Sequence, residues 1–354
     1  SRNRLHTQRT QASALRCHPS TTITSPASPR LISAMFTSKL LVAMLGVTTR
    51  ITQAATRCGL DLARNAGGRN FSTISQDTQR TRRAWIGPPW NGECRVDAED
   101  AANAGRFLPE SCPRLGLEDA ARCIQARKFH GVVYLGDSLS FQEAGSLSCD
   151  AIGAFDTSWS GNMSRGYLLQ HIENLPIPII MFHALVDGKA MNTADAMASA
   201  VENAVEDGHF ENQKPFLWMV NAGIWHLVCS KHDGCMDPQY PDKVDRLLTV
   251  LEQNVQGGIV WKDTTASHKK NMDPSVGKNV VEKFAGFTEE HEEILNRQAR
   301  LVVSQHEEVH LLEHHFDATK NRADGLIPGD IRHYRGDVLY TLGQISMLSW
   351  CSLL

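Results

Sequence analysis

The stretch that decides the reading of this chain runs from His130 to Ser140, HGVVYLGDSLS. Its apolar run Val132-Val133-Tyr134-Leu135 stops abruptly at Gly136-Asp137-Ser138, and helix-compatible sequence follows. The pattern predicts a buried strand with Ser138 at its C-terminal end, where open α/β sheets carry their chemistry. A serine there also begins the next helix, whose unpaired first amides can stabilise a neighbouring anion. Asp137 and Ser138 are equally good helix caps, so the segment alone leaves both roles open.

Working outward, the next informative segment lies close to the C-terminus. DGLIPGDIRHY places Asp330 and His333 in an Asp-x-x-His spacing, after another apolar run. A serine hydroxyl becomes a useful nucleophile when a histidine takes its proton and a carboxylate fixes that histidine's tautomer. Ser138, Asp330 and His333 supply these groups in the order Ser, Asp, His, on loops expected at one edge of a parallel sheet. That order is known to work. Ser138, Asp330 and His333 are the candidate catalytic residues.

The GDSL block with a late Asp-x-x-His resembles the SGNH/GDSL hydrolase superfamily. The flanking sequence is similar to its PC-esterase branch, which includes the trichome-birefringence-like glycan O-acetyltransferases of plants and their fungal and algal relatives. Further carriers of the resemblance are Trp90-Asn91-x-x-Cys94, Ser111-Cys112-Pro113, FLWMVNAGIWH around Asn221 and Gly223, and WKDTTASH from Trp261 to His268. The likeness spans residues 85 to 350. The tail DIRHYRGD departs from the Trp and Cys that plant members carry after the histidine, and the family's second-block glycine is missing. The resemblance implies an α/β, SGNH-type three-layer sandwich, with a mostly parallel sheet and helices on both faces. It also implies transfer of acyl groups, most often acetyl, to carbohydrate hydroxyls through an acyl-serine. A small acyl donor and a glycan acceptor would be the partners, with no cofactor or metal. Asn221 occupies the family's third-motif position, so its amide is expected to join the Ser138 amide in holding the oxyanion. As a turn, Asn-Ala-Gly would also be unremarkable. Gly161, in WSGN, is the best candidate for a third donor.

An α/β rhythm is visible without the resemblance. Strand-like runs fall at Val132 to Leu135, Ile177 to Leu185, Phe216 to Val220, Ile259 to Trp261 and Val309 to Leu312. Helix-like runs at Thr193 to Val205, Asp242 to Gln256 and Glu289 to Val303 separate them. In the second, Val244, Leu247, Leu248, Leu251 and Val255 share one face. Such alternation implies a parallel sheet covered on both sides.

The 354 residues carry a formal charge of -3, and 42% are hydrophobic, which is enough for a sizeable core. The balance argues against a nucleic-acid partner, which calls for a basic face. Residues 1–60 depart from that balance, with no Asp or Glu and eight Lys or Arg. Within them, Met35 opens MFTSKLLVAMLGVTTRITQAAT, with a charged start, an apolar middle and small residues at Ala54 and Ala55. This resembles a secretory signal peptide. A membrane anchor would have to borrow Leu31 to Ala34, because Leu40 to Val47 falls short of a span. The rival reading is an organelle transit peptide, with RNFS at Arg69 to Ser72 as a processing site. The expected organisation is a targeting segment over 1–56, a linker over 57–84 and a catalytic domain over 85–354. Secretory passage, to the Golgi or outside the cell, is the expected localisation, with a mitochondrion or other organelle as the alternative.

Cysteine usage agrees with the secretory reading. Beyond Cys17 there are eight, an even set that can close in an oxidising compartment, and Cys229 and Cys235 flank a short polar loop suited to a disulfide. With His226 and His232 the same pair could form half a metal site. Trp225, His226, Trp261 and His268 follow strand ends and either line an acceptor site or pack. Asn70 and Asn162 sit in Asn-x-Ser sequons.

Three competing functions follow from the sequence. A secreted carbohydrate or lipid esterase would use the same residues with water as acceptor, and a non-catalytic carbohydrate-binding relative would not need them. The third is a zinc protease, because His306-Glu-Glu-Val-His310 satisfies His-Glu-x-x-His. Against it, Glu308 adds a charge where such enzymes keep an uncharged residue, and VHLLEHHFD looks like a strand.

Overall fold

The computed structural model describes residues 83–86, 93–96 and 114–352, except 191, 211–214 and 230–232. All lie in a compact unit running from Gly46 to Leu354. The targeting segment, Asn70, Trp90, Asn91, Cys17, Cys58, Cys112 and His232 lie outside the described residues.

A small antiparallel hairpin, β1 (Arg83–Ile86) with β2 (Glu93–Val96), precedes helix α1 (Leu117–Ala126). Then follow β3 (Val132–Leu135), α2 (Ser138–Ile152), β4 (Thr157–Asn162), β5 (Tyr167–Ile172), β6 (Ile179–Val186), the short β7 (Lys189–Ala190) and α3 (Ala194–Glu206). The second half contains β8 (Phe216–Val220), α4 (Tyr240–Asn254), β9 (Gly257–Lys262), α5 (Lys278–Lys283), α6 (Glu289–Val303), β10 (Val309–Leu312), α7 (His314–Thr319) and α8 (Gly336–Ser352).

The main sheet has the order β10-β9-β8-β3-β6-β5-β4, and β7 pairs with β6. The strands from β10 to β6 are mutually parallel, whereas β5 and β4 run antiparallel at one edge. Numbered by appearance, the parallel strands follow the doubly wound order 2-1-3-4-5, whose ligand crevice lies between the first and third strands. Those strands are β3 and β8.

Side-chain alternation divides the core. Val133 and Leu135 of β3, with Phe216, Trp218 and Val220 of β8, face α3, α4 and α6. Val132 and Tyr134, with Leu217 and Met219, face α1, α2 and α8. Both faces are covered, so the strands are continuous apolar runs and the molecule is a three-layer α/β sandwich. The expected strands and helices are present within a few residues of their predicted ends. The edge pair β4 and β5 and the helix α8 were not foreseen.

Three disulfides join described residues, Cys94 to Cys149, Cys123 to Cys351, and the expected Cys229 to Cys235. They are compatible with a secreted protein. Among the described residues no helix is long and apolar enough to cross a membrane.

Candidate active site

The turn from β3 into α2 is built by close approach. A Cβ on Gly136 would lie 2.2 Å from the Ser140 hydroxyl, so only glycine fits between strand and helix. Asp137 is the N-cap of α2, its Oδ1 accepting from the Leu139 amide at 2.9 Å. Ser138 is the first helical residue and is half-buried while its neighbours are buried. Its own amide has no intrahelical acceptor, as is general for the first turn.

His333 arrives on the segment between α7 and α8. An isolated bridge of Leu326 to Tyr334 closes this loop, and the Ile327 amide donates to the His333 carbonyl. The loop after β9 clamps it from outside. The His268 amide donates to the Ile331 carbonyl at 2.6 Å, and Asn271 Nδ2 to the Asp330 carbonyl at 2.8 Å. Gln142, one turn beyond Ser138 on α2, donates to the Tyr334 carbonyl at 3.1 Å, and the Tyr334 hydroxyl donates to the Ala266 carbonyl. Elements distant in sequence thereby fix the histidine against the serine helix.

Ser138 Oγ lies 2.8 Å from His333 Nε2, and His333 Nδ1 lies 2.6 Å from Asp330 Oδ2. Asp330 Oδ1 accepts the amides of Arg332 at 2.9 Å and His333 at 3.1 Å. A carboxylate only accepts, so Nδ1 carries the imidazole proton and Nε2 is the lone-pair acceptor for the Ser138 hydroxyl. Burial would raise the Asp330 carboxyl, but the hydrogen bond and charge of His333, with the two amides, outweigh it and bring it down to about 2. Burial pulls His333 below its ordinary value of 6.5, and its hydrogen bond to Asp330 opposes that shift only in part. At neutral pH the pair is therefore carboxylate and neutral imidazole, the state in which a base can act.

Asn221 follows β8, at the crevice beside Ser138. Its backbone amide donates to the Leu135 carbonyl at 3.0 Å. Its side-chain nitrogen donates to the Lys262 carbonyl at 3.0 Å and to Thr264 Oγ1 at 3.2 Å. In this arrangement both hydrogens of the amide expected to serve the oxyanion have acceptors at the end of β9 and just beyond it. The Lys262 carbonyl ends β9, is buried and needs a donor. Gly161, the other expected donor, stands farther off. It lies in the edge strand β4, opposite Leu168 of β5, which in turn faces His183 of β6. Three strand spacings put it about 14 Å across the sheet from β3.

The aromatic and histidine candidates divide. Trp261 is core, and buried His226 is locked between the Ala194 amide at 3.0 Å and Asp237 at 2.8 Å. With Cys229 joined to Cys235 and both His226 nitrogens engaged, that group is not half a metal site. His268 bonds the Thr319 carbonyl at 3.0 Å. Trp225 is half-buried at the rim, with the Arg332 guanidinium over its ring. The His-Glu-x-x-His segment is a turn leading into β10, so its histidines do not share a helical face. His306 bonds Glu252 and Asp245, and His310 pairs in register with Val260. A zinc-protease arrangement is absent there.

Two polar groups escaped the sequence reading. Glu143, on α2 beyond Ser138, accepts from buried Lys262 at 2.8 Å, from Tyr134 at 3.1 Å, and from Ser346, and lies 3.2 Å from His315 Nε2. Arg332, between the two triad residues of its loop, is buried as well. A charge inside an apolar pattern is the signal for the first; the second has no signal beyond its position beside His333. No family model matches the chain, and no curated protein matches it.

Proposed function

We propose that the chain is a serine acyl-transfer enzyme, and that Ser138, His333 and Asp330 carry the reaction. The observation that carries this reading is the continuous hydrogen-bonded line from Ser138 Oγ through both His333 nitrogens to Asp330. In the reaction, Ser138 Oγ forms a bond to an ester carbonyl carbon while His333 Nε2 takes the hydroxyl proton. Asp330 keeps the imidazole in register and stabilises the imidazolium. The carbonyl electron pair moves onto oxygen, where the Ser138 amide and the positive end of α2 stabilise it. Collapse breaks the ester bond, the departing alkoxide takes the proton from His333, and an acyl-serine remains. A second hydroxyl then takes the acyl group by the reverse sequence.

The resemblance to PC-esterases supports a carbohydrate hydroxyl as that acceptor and acetyl as the group moved. Water as acceptor would make the protein an esterase with the same residues. The disulfides favour action in the secretory pathway or outside the cell.

Intact-mass spectrometry of the full chain after brief exposure to 4-nitrophenyl acetate tests the reading. The expected result is one acetyl adduct on the wild type and none on Ser138→Ala, with loss of the adduct to added sugars distinguishing transfer from hydrolysis. Equal labelling of both proteins, or neither adduct nor turnover from a folded protein, refutes it and favours a binding role.

A further inference from the structure

Arg332 is 8% exposed and carries a charge that ordinary packing does not account for. Its guanidinium carbon lies 4.8 Å from the centre of the Trp225 ring and 5.4 Å from that of Phe287, a cation-π contact with each. Among the described residues no carboxylate makes an ion pair with it, and its sealed Nη1 has no hydrogen-bond acceptor. Three acids lie nearby, Asp137 foremost, yet none is in salt-bridge contact with it, and Asp137 Oδ2 and Glu292 Oε1 are themselves buried without a hydrogen-bond partner among the described residues. Asp330 is directed to His333 and to two amides, Asp137 Oδ1 to the Leu139 amide, and Glu292 Oε2 to the Ser267 amide. Burial also pushes Glu292 up to about 8, which leaves it uncharged at neutral pH.

A buried guanidinium without an acceptor is costly, and a fold that retains one beside its reacting groups has a use for it. The position is informative. Arg332 adjoins His333 in the chain, and Trp225 lies on the loop that leaves β8 after Asn221, so the contact joins the histidine loop to the loop beyond β8. The two ring contacts hold the guanidinium in place, and the forked donors on its edge suit a flat, two-oxygen partner.

We propose that Arg332 is a specificity-determining residue that receives a carboxylate of the substrate, so that the preferred ester carries an acid group close to the bond that breaks. This inference rests on the serine acyl-transfer reading. The acid group can belong to the acyl part or to the alcohol part, and two probes separate them.

The test compares the full-chain wild type with Arg332→Gln and Arg332→Lys on three esters. Mono-4-nitrophenyl glutarate carries the acid on the acyl side, 3-acetoxybenzoate carries it on the alcohol side, and methyl 3-acetoxybenzoate is neutral. The wild type is expected to favour at least one acidic ester by kcat/KM. Arg332→Gln should lower that acidic-to-neutral ratio by about 30-fold, as loss of a charge-assisted contact would, and Arg332→Lys should restore part of it. A ratio unchanged within threefold, or a wild type without acid preference, overturns the proposal. If no ester is turned over, equilibrium binding of 3-acetoxybenzoate and its methyl ester to Ser138→Ala still decides the matter. Tighter binding of the acid that Arg332→Gln abolishes sustains the carboxylate site while the acyl-transfer reading falls, and equal binding of the two esters overturns the site.

Discussion

Replacing Asp330 by Asn tests the catalytic line with almost no change in shape. Oδ1 of Asp330 accepts two backbone amides, at 2.9 and 3.1 Å, so the amide oxygen of asparagine must take that position. Its NH2 group then occupies the Oδ2 position, 2.6 Å from His333 Nδ1, and donates to it. The imidazole proton moves to Nε2, 2.8 Å from Ser138 Oγ, and the ring now donates to the hydroxyl it should deprotonate. Comparable tautomer reversals lower serine-enzyme turnover by about 10⁴-fold, or about 5.5 kcal/mol of activation free energy. The assay is the single-turnover acylation rate with 4-nitrophenyl acetate, followed by nitrophenol release and by intact mass. Because the loop amides keep their acceptor, the unfolding midpoint should hardly move. In the wild type the rate should rise with pH to a plateau reached from an apparent pKa below 6.5, since burial depresses His333. An Asp330→Asn rate within tenfold of wild type, or an acid limb centred above 6.5, would refute the assignment of His333 as the base.

Two further expectations concern stability. Glu292 is raised from an ordinary 4.5 to about 8 by burial, so the folded state holds a proton that the unfolded chain releases, and stability falls as pH rises through that window. Glu292→Gln should therefore gain little at pH 5 and on the order of 4 kcal/mol at pH 8, read by urea unfolding; a gain independent of pH would contradict the buried-acid account. Glu143→Gln leaves the buried Lys262 ammonium without its carboxylate and should cost about 3 to 5 kcal/mol, with Glu143→Leu/Lys262→Met recovering much of it in thermal unfolding. A cost below about 1 kcal/mol would mean that the network is not held as an ion pair.

The parts of the fold that could be read from the chain are those where one force dominates. The run Val132 to Leu135 is apolar on both faces because helices cover both sides of β3, and α4 and α6 expose a polar face that gives them a helical period. Helix α8 has no such period, since Val338 to Cys351 is almost wholly enclosed between α1 and α2. The edge strand β4, TSWSGN, is mostly polar with an exposed Trp159, and its pairing with β5 is a long-range property that no local pattern announces. At the candidate site, the residue types and chain order of Ser138, Asp330 and His333 were legible, because nucleophile, base and orienting carboxylate are chemically distinctive. The contacts of Asn221 were hidden for the opposite reason. An amide serves an oxyanion and a strand-end carbonyl equally well, and its bond to the Lys262 carbonyl depends on a strand pairing that no local pattern announces. Arg332 gave no warning, because a surface arginine and a buried one are spelled alike.

The bond between Cys123 and Cys351 makes a covalent ring of nearly all the architecture, with Ser138, Asn221, Asp330 and His333 all on its circumference. A single backbone cut in the exposed stretch at 277–280 therefore opens the ring without releasing a fragment. The serine and histidine arms stay tethered through α1 and α8, so the nicked molecule remains one particle until a reductant reaches the bridge.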